Sequence, residues 1–517
     1  MIKTVIKKGA YFDSVSLMQV AKKLNGVAGV IDSAVVMATR ENKGIIKASG
    51  LLTPEVQAAG DTDLAIAVSA ETPAAAEAAL KAADDLLNKK PASSAGTSDR
   101  KAAGLDDALR SLDGANLAVI SVAGRYAGAL AADCLEKGLN VMLFSDNVPV
   151  ETEVELKKAA LAKGLLVMGP DCGTAIINGA PIAFANSVRR GNIGIVAASG
   201  TGLQEVTTLI SNEGAGISQA VGTGGRDVKL EVGALTFVQA LKMLAADPGT
   251  GVLLMVSKPP HPAILKKIMA EVKRIRKPVV AVFLGGEIKE KVKDNFYPAK
   301  TLEEAAYKAV CLSKGWEVGK ARQMIYDMNL KAAELARREA ARKKKSRWLR
   351  GLFSGGTFVS EAQVILPELV GEVLSNAPLD KRLKLKDSMK LSGHSVIDLG
   401  EDEFTVGRPH PMIDFSLRNK MIVSEASKPE VSVLLLDLVL GYGANLKPLD
   451  DIMPSIVEAF IQNKELSIVA SVTGTETDPQ ARFKVVKALE AAGVLVMPSN
   501  AGACRLAGEI IRLSARR

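Results

Sequence analysis

Short apolar runs alternate with amphipathic stretches along most of the chain. The runs 193–198 and 431–440 have the length of strands and are bounded by glycine or charged residues. The stretch 203–210 between such runs carries its apolar residues on one helical face. Because buried parallel strands are continuously apolar and their crossover helices are amphipathic, this pattern predicts α/β domains built on parallel sheets.

The alternation breaks into segments that suggest several domains, because a chain of 517 residues rarely folds around a single core. We predict six segments along the chain. The first three are a small N-terminal α/β domain (1–90), a linker rich in Pro, Ser, Gly and Lys (91–114) and a Rossmann-like domain (115–190). The last three are a second α/β domain (191–317), a basic helical connector (318–350) and a third α/β domain (351–517). Within the third domain, 351–353 is predicted as a short strand and 393–414 as an irregular polar segment. The fingerprint GxGxxG is missing after the strand at 117–122, which argues against an NAD-dependent hydride transfer.

Composition narrows the functional classes. No apolar run is long enough to span a membrane, and the first residues are too polar for a secretory signal. Four scattered cysteines and three histidines predict a reducing cytoplasm and no metal site. Much of the net charge of +9 lies in 331–350, where we favour a solvated or docked helix over a nucleic-acid or membrane surface.

Glycine turns that carry hydroxyl residues recur at the predicted carboxyl ends of strands. They are Ser199, Gly200, Thr201 and Gly202; Gly222, Gly224, Gly225, Arg226 and Asp227; Gly355, Gly356 and Thr357; and Gly474 and Thr475. Backbone N–H groups in such turns, together with a following helix dipole, favour a phosphate or carboxylate. The alternative is that they are the tight turns found in every doubly wound sheet, and the pattern leaves both open.

A second set of candidates ends the strands of the Rossmann-like domain. It comprises Gly124, Asp146, Gly169, Pro170, Asp171, Cys172, Gly173 and Thr174. Ligands of parallel sheets bind at this edge. Cys172 has no identified base, so a structural role is the more common outcome. Asp171 and Asp227 could each bind a hydroxyl or ammonium group, or cap a turn.

The histidines offer few catalytic candidates. His410 lies beside Arg408 in GRPHPMID, which suits either an anion grip with acid–base chemistry or a Pro-rigid loop packed on a domain face. His394 has the context of a structural residue, and His261 that of an exposed helix start.

Longer motifs resemble a known superfamily. MGPDCGT, GNIGIVAASGTG and VGTGGRD resemble the α-subunit of succinyl-CoA synthetase and other NDP-forming acyl-CoA synthetases, and LDLVLGYG and SVTGTETDPQ resemble the ligase domain of the β-subunit. Nearly the whole chain resembles the FdrA family, through IKKGAYFDSVSLM, ISVAGRYA, NVMLFSDNV, GLLVMGPDCGT, VSKPP, FSGGT, IDLGEDEFTVGRPHPMID and VTGTETDPQ. The resemblance implies a Rossmann-like CoA-binding domain and flavodoxin-like ligase domains, behind a small N-terminal α/β domain.

The resemblance also implies a reaction. The loop after the strand at 278–283, which holds a phosphohistidine in the synthetases, contains no histidine here, and no ATP-grasp domain is present. FdrA-type proteins are associated with purine and allantoin breakdown, where they act with two partner subunits as an oxamate carbamoyltransferase that splits oxalurate with phosphate. The alternatives are an acyl-CoA synthetase subunit that borrows its phosphoryl relay, and a non-catalytic organising subunit.

Site roles follow from the same resemblance. Residues 199–202 would hold phosphate, Gly124, Asp146 and 169–174 would line a cleft for CoA or a nucleotide, and 222–227 would close it. Arg408 and His410 would hold the substrate carboxylate. No cofactor is identified with certainty, no metal is expected, and self-association into a homo-oligomer is left open.

Overall fold

The computed structural model describes residues 1–10, 12, 14–88, 102, 104–286, 288, 294–343, 348–405 and 409–515. They divide into two compact units. The first contains residues 1–114 with 402–410, and the second contains 115–401 with 411–517. Arg408 lies outside the described residues, as does most of the segment 89–103.

The first unit is built on a three-stranded antiparallel sheet of order β1-β3-β2. Its elements are β1 (Ile2–Lys7), α1 (Ser14–Asn25), β2 (Val30–Met37), α2 (Arg40–Ala48), α3 (Pro54–Ala58), β3 (Leu64–Ala70), α4 (Pro73–Asn88) and α5 (Leu105–Ser111). Strand β3 is buried on both faces, with Ile66 and Val68 in one cluster and Ala65 and Ala67 in another. The helix α5 falls within the segment that the sequence predicts as a linker.

The second unit opens with a three-stranded parallel sheet of order β4-β5-β6. Its elements are β4 (Leu117–Ile120), α6 (Gly124–Glu136), β5 (Asn140–Leu143), α7 (Val150–Ala162) and β6 (Val167–Met168). This is the βαβαβ alternation that the sequence predicts for a Rossmann-like domain.

A seven-stranded sheet follows, of order β13-β12-β11-β9-β10-β7-β8. Its elements are β7 (Thr174–Ile177), β8 (Ala180–Ala183), β9 (Arg190–Ala197), α8 (Gly200–Asn212), β10 (Ile217–Gly222), α9 (Leu235–Ala246), β11 (Val252–Ser257), α10 (Pro262–Val272), β12 (Val279–Phe283), β13 (Phe296–Ala299) and α11 (Leu302–Ser313). The hairpin of β7 and β8 adds to this sheet through β10, so the sheet begins well before residue 191, where the sequence predicts its domain to start.

The basic connector is the helix α12 (Lys320–Ala341). It buries a stripe of Ala332, Ala336 and Ala340. Asn329 on this helix accepts a hydrogen bond from Arg505 at 2.6 Å, and Glu339 accepts one from Ser467 at 3.0 Å. The connector is therefore a helix docked on the third α/β segment of the same unit. Its alanine stripe makes this packing possible, which the charge of the segment does not indicate.

The third segment forms a six-stranded, all-parallel sheet of order β15-β16-β14-β17-β18-β19. Its elements are β14 (Trp348–Phe353), α13 (Gly356–Ile365), α14 (Pro367–Val370), β15 (Val373–Ser375), a 3-10 turn (Lys381–Leu383), β16 (His394–Asp398), α16 (Ser416–Ala426), β17 (Val431–Val439), α17 (Pro448–Gln462), β18 (Ser467–Thr473), α18 (Arg482–Ala491), β19 (Leu495–Met497) and α19 (Asn500–Ser514); α15 (Asp402–Thr405) belongs to the first unit.

The structure confirms the strand predicted at 351–353 but starts it earlier, and it contradicts the irregular segment predicted at 393–414. The six-residue strand β14 begins at Trp348, inside the predicted connector, and β16 occupies part of the predicted irregular segment. Each of these strands has another strand on both sides. The hydrogen bonds of the sheet therefore stabilise them as strands, although their own sequences do not indicate it.

The second and third α/β segments repeat one topology and share a core. The order β13-β12-β11-β9-β10 matches β19-β18-β17-β14-β16 element for element. One cluster of buried side chains joins the two segments. It contains residues of β9, α8 and α11, which belong to the segment of the seven-stranded sheet, and of β14, α13 and α19, which belong to the segment of the six-stranded sheet. In the described part of the chain, no helix has both the length and the apolar character needed to cross a bilayer.

Candidate functional site

Equivalent strand-to-helix turns begin the two repeated sheets. The segment ASGTGLQE (198–205) follows β9, and SGGTFVSE (354–361) follows β14. The two share a Gly-Thr pair and, four residues after the threonine, a glutamate. Small residues let each chain turn sharply from the strand into its helix, and each turn leaves the first N–H groups of a helix pointing outward from the sheet edge.

The structure brings these two turns together. Ser199 caps α8, its Oγ accepting from the Gly202 N–H at 3.1 Å, and the same Oγ lies 2.5 Å from Oγ1 of Thr357. A Cβ on Gly355 would lie 2.9 Å from Cγ2 of Thr201. The N-termini of α8 and α13 therefore face each other, with Ser199 and Thr357 in contact between them.

This junction has the properties of an anion site. The N–H groups of Gly200, Thr201, Gly356 and Thr357 precede the intrahelical hydrogen bonds, and none of them has an acceptor among the residues that the structure describes. Each helix places partial positive charge at its N-terminus. Two such ends that meet would stabilise a phosphate more strongly than either alone. The predicted candidates 199–202 and 355–357 thus lie in one place.

Asp398 lies next to the turn that precedes α13, in contact with Gly356. A Cβ on Gly356 would lie 2.2 Å from its Oδ2, and its Oδ1 accepts from the Gly400 N–H at 2.8 Å. Burial, reinforced by Glu401, raises the pKa of this carboxyl to about 7, while Lys258 opposes the shift. A group with that pKa can both take and return a proton near neutrality. The sequence analysis missed Asp398, although an aspartate that ends a strand before glycine was a usable signal.

A buried ion pair between Asp437 and Arg418 holds the turn that precedes α13. Asp437, near the carboxyl end of β17, accepts from both the backbone N–H and the hydroxyl of Ser354, each at 2.8 Å. Arg418 on α16 donates to the Asp437 carboxylate at 3.2 Å and to its carbonyl at 2.7 Å. Burial raises the pKa of Asp437, and Arg418 and Ser354 oppose that rise.

The spacing that the two glutamates share has a structural use. Glu205 accepts from the backbone N–H of Asn500 at 2.8 Å, so it caps α19 of the other repeat. Glu361 accepts from the backbone N–H of Leu302 at 2.7 Å, so it caps α11 in return. Burial is the main cause that raises the pKa of Glu205 to about 7 and that of Glu361 to about 8. This exchange of caps holds the two turns in register.

The loop 169–174 reaches the same edge from the Rossmann-like sheet. Thr174 donates to the Phe184 carbonyl at 2.7 Å, and its Oγ1 would lie 3.3 Å from a Cβ on Gly200. A Cβ on Gly222 would lie 2.3 Å from the Thr174 carbonyl, so this turn packs backbone to backbone on the loop. Cys172 is buried, and burial raises the pKa of its thiol to about 12, which rules out a thiolate nucleophile near neutrality.

The remaining residues of this loop and turn are framework positions. A Cβ on Gly224 would lie 2.4 Å from the Pro170 carbonyl, and one on Gly169 would lie 2.2 Å from the Leu143 carbonyl. The Asp171 N–H donates to the Ser145 carbonyl at 3.0 Å. Gly173 and Gly225 make no such close approach.

Asp227 and Arg226 take part in a buried charge cluster. Asp227 accepts from the Phe237 N–H at 2.7 Å and so caps α9, and it also binds Lys157 at 2.8 Å. Lys157 bonds Glu153 at 2.8 Å, and Arg226 bonds the same glutamate at 2.9 Å. Of the alternatives that the sequence left open for Asp227, the structure therefore supports capping over ligand binding.

Gly124 and Asp146 lie together at the carboxyl end of the Rossmann-like sheet. A Cβ on Gly124 would lie 2.2 Å from the Asp146 carbonyl, so only glycine allows α6 to start this close to that loop. The Asp146 side chain is exposed.

Gly474 and Thr475 do not join the site. Thr475 donates to the Ser187 carbonyl at 2.6 Å, and Asn212, the last residue of α8, donates to the Gly474 carbonyl at 3.0 Å. They lie by the C-terminal end of α8, about 20 Å along the helix from Ser199. The Thr475 N–H already donates to Asp478 at 2.7 Å, and the anion turn predicted here stays a prediction.

The histidines separate by environment. His394 accepts from the Leu349 N–H at 3.2 Å and packs edge-on against Trp348, at the amino end of its strand, which confirms a structural role. His261 is the exposed N-cap of α10, as predicted. Burial lowers the pKa of His410 to about 4, so its ring is neutral near pH 7. Its pairing with Arg408 stays a prediction, since Arg408 lies outside the described residues.

Comparison with known proteins gives the family. The chain is 42% identical over 514 residues to the uncharacterized protein YahF of Escherichia coli K12, which covers 99% of this chain and 98% of that protein. The chain belongs to the YahF family. A family described as AllF, heavy metal-associated domain, matches residues 1–103, and the CoA-ligase family matches 352–510, which includes the turn before α13.

More distant relatives place the YahF-family chain in the succinyl-CoA synthetase-like superfamily. It is 29% identical over 175 residues to subunit alpha 1 of the ADP-forming succinate–CoA ligase of Archaeoglobus fulgidus, covering 33% of this chain and 58% of that one. It is 25% identical over 182 residues to SauD, a subunit of the ADP-forming sulfoacetate–CoA ligase of Bilophila wadsworthia, covering 33% and 60%. The chain thus spans about six tenths of the length of these two relatives.

A solved structure with a similar chain is the dinucleotide-forming acetyl-coenzyme A synthetase 1 of Ca. Korarchaeum cryptofilum, at a TM-score of 0.32 and 16% identity, covering 78% of this chain and 83% of that one.

The metal named by the N-terminal match does not fit this chain. Residues 1–103 contain neither cysteine nor histidine, the soft and borderline ligands that heavy metals prefer. Among the described residues, no group of three or more His, Cys, Asp or Glu side chains could hold a metal ion. The residues of this segment therefore do not fit a heavy-metal site built from cysteine or histidine.

Proposed function

We propose that this chain is the FdrA-type subunit of an oxamate carbamoyltransferase, which transfers a carbamoyl group from oxalurate to phosphate in purine and allantoin breakdown. The observation that carries the proposal is the meeting of the α8 and α13 N-termini at Ser199 and Thr357.

In this reaction, phosphate is the acceptor. An oxygen of the phosphate attacks the carbamoyl carbon, the bond from that carbon to the amide nitrogen breaks, and the products are carbamoyl phosphate and oxamate. The N–H groups of Gly200, Thr201, Gly356 and Thr357 would hold the phosphate and its developing charge. Such preorganised donors stabilise the transition state without reorganising during the step.

The proton balance suits Asp398. Monohydrogen phosphate loses its proton as it attacks, and the leaving oxamate nitrogen gains one. A carboxyl with a pKa of about 7 behind Gly356 is the group that would carry the proton from one to the other.

The sequence also favours direct transfer to phosphate over a synthetase relay. The segment 284–305 contains no histidine, so it offers no residue for a phosphohistidine intermediate. The chain would act with two separately encoded partner subunits, and carbamate kinase would convert the product into ATP.

The test is phosphorolysis of oxalurate by the chain with its two partners, coupled through carbamate kinase to ATP formation. ATP that appears only when this chain, oxalurate and phosphate are all present supports the proposal. Asp398→Asn should lower the rate at least tenfold without loss of assembly, whereas Asp380→Asn, an exposed matched change, should not. A folded complex that forms no carbamoyl phosphate rules the proposal out.

A second candidate is an acyl-CoA synthetase subunit, favoured by the CoA-ligase match over 352–510. CoA-dependent nucleotide hydrolysis on small acids by the assembled complex would establish it. If Thr201→Ala and Asp398→Asn both leave the complex fully active, the chain is instead an organising subunit.

A further inference from the structure

Arg418 is a fully buried arginine whose guanidinium is only half used. Its side chain has no exposed surface, and its Nη1 makes the two bonds to Asp437 described above. Its Nε and Nη2 are also buried, and neither has a hydrogen-bond partner among the residues that the structure describes. The ring of Phe415 covers the guanidinium at 4.2 Å and excludes water from that face.

The unused atoms form the edge that recognises a planar anion. Nε–H and one N–H of Nη2 point in the same direction, and this fork matches the two oxygens of a carboxylate. Leaving charged donors buried and unpaired is costly, so an edge of this kind is normally occupied.

Another buried arginine in the same segment shows what a structural arginine looks like. Arg350 uses all three nitrogens: Nε donates to Glu425 at 3.0 Å, Nη2 donates to the Leu391 carbonyl at 3.4 Å, and Nη1 donates to the carbonyls of Leu349 and Gly393. Both arginines are 1% exposed. The open edge of Arg418 is therefore not a general consequence of burying an arginine in this sheet.

The open edge is close to the proposed phosphate site. Asp437 bonds Arg418 on one side and Ser354 on the other, and Ser354 precedes the turn at the N-terminus of α13. One carboxylate thus separates the guanidinium from that turn.

We infer that the Nε/Nη2 edge of Arg418 is the binding site for the carboxylate of a small carboxylic acid, which under the proposed function is the carboxylate shared by oxalurate and oxamate. Arg418 then takes the role that the sequence assigned to Arg408. The identity of the acid rests on the proposed function, whereas the site itself does not.

Binding of oxamate to the full chain, measured by titration calorimetry, tests the inference. Oxamate should bind the wild-type protein, and oxamide, which has the same shape without the carboxylate, should not. Arg418→Lys keeps the charge and removes the fork, so it should weaken oxamate binding by about tenfold or more. Arg350→Lys is the matched control and should bind oxamate as the wild type does.

Inorganic phosphate provides an independent arm. Its affinity should be the same in the wild type and in Arg418→Lys, because it occupies the helix N-termini. Phosphate binding without oxamate binding would overturn the Arg418 site and leave the proposed function standing. Oxamate binding that is lost in Arg418→Lys, with no carbamoyl transfer by the complex, would uphold the site and overturn the proposed function.

A second variant keeps the test valid if Arg418→Lys does not fold. If Arg418→Lys does not fold, the double variant Arg418→Gln with Asp437→Asn replaces the buried ion pair by a neutral hydrogen bond. That protein should fold and fail to bind oxamate. Wild-type affinity for oxamate in either variant would refute the inference.

Discussion

Replacing Glu205 by glutamine isolates the effect of ionising one of the two buried glutamates that exchange caps between the repeats. The carboxylate accepts from the Asn500 N–H at 2.8 Å and from the Thr473 hydroxyl at 2.5 Å. Glutamine has the same shape and can still accept the Asn500 bond, but it cannot ionise. The substitution therefore removes the titration while it keeps the packing.

The magnitude follows from the pKa of Glu205. Burial raises it from an ordinary 4.5 to about 7. Below pH 4.5 the carboxyl is protonated in both the folded and the unfolded chain, so the stability is fully present. Between pH 4.5 and about 7 the unfolded chain releases the proton first, and the stability of the wild type falls as the pH rises. At about 1.4 kcal/mol for each pH unit, the loss is about 3 kcal/mol.

The assay is urea unfolding from pH 4.5 to 8, followed by the fluorescence of Trp316 and Trp348, which both lie in the second unit. The Glu205→Gln protein should gain about 3 kcal/mol relative to the wild type as the pH rises across this range. Glu458→Gln, at an exposed position on α17, should follow the wild type at every pH. Parallel pH profiles for Glu205→Gln and the wild type would refute the reasoning.

Three further predictions address the framework of the site. Lys157→Met should lower the free energy of unfolding by about 3–5 kcal/mol, because it leaves the buried Asp227 carboxylate without its cation and Glu153 with Arg226 alone; chemical denaturation measures this, and an unchanged midpoint contradicts it. Gly222→Ala should destabilise by about 1–3 kcal/mol, since its Cβ would lie 2.3 Å from the Thr174 carbonyl; a thermal midpoint equal to that of the wild type would disprove the contact. Cys172 should resist iodoacetamide at pH 8 in the native chain and react once unfolded, as peptide mass spectrometry would show; rapid native labelling would argue against its burial.

Local chemistry explains which parts of the fold were predictable. The strands β9, β11 and β17 each contain an apolar run, with glycine just before β11 and soon after β9 and β17, so their position and type can be read from the sequence. By contrast, Arg350 and Gly351 interrupt the apolar residues of β14, and β16 has only five residues, so their neighbours in the sheet decide their conformation. Sequence patterns describe what a segment can do, and the partner strands select among the possibilities.

The sequence predicts the individual glycine turns of the site, but it does not predict which of these turns come together in the folded chain. Ser199 and Thr357 are 158 residues apart, and nothing in either turn indicates that they meet. The one long-range clue was the shared spacing from Gly-Thr to glutamate, since Glu205 and Glu361 make equivalent caps across the repeat. Gly474 and Thr475 look similar in sequence, yet they lie by the other end of α8, where Gly474 accepts from Asn212 and Thr475 donates to Ser187.

The residues that the sequence analysis missed have unremarkable local sequences. Arg418 lies on α16, a helix whose sequence has no clear apolar face, and Asp398 lies in a segment predicted to be irregular. Their importance depends on burial and on which hydrogen-bonding atoms remain without partners, which only the folded chain determines.

Phosphate binding to the full chain, measured by titration calorimetry, tests the central claim most directly. The wild type should bind phosphate, and carbamoyl phosphate should compete for the same site. The double variant Ser199→Ala with Thr357→Val, which removes the paired hydroxyls between the helix N-termini, should bind phosphate about tenfold or more weakly. Thr475→Val, at the other end of α8, should retain wild-type affinity. Equal phosphate affinity in the double variant and the wild type would contradict the placement of phosphate between α8 and α13.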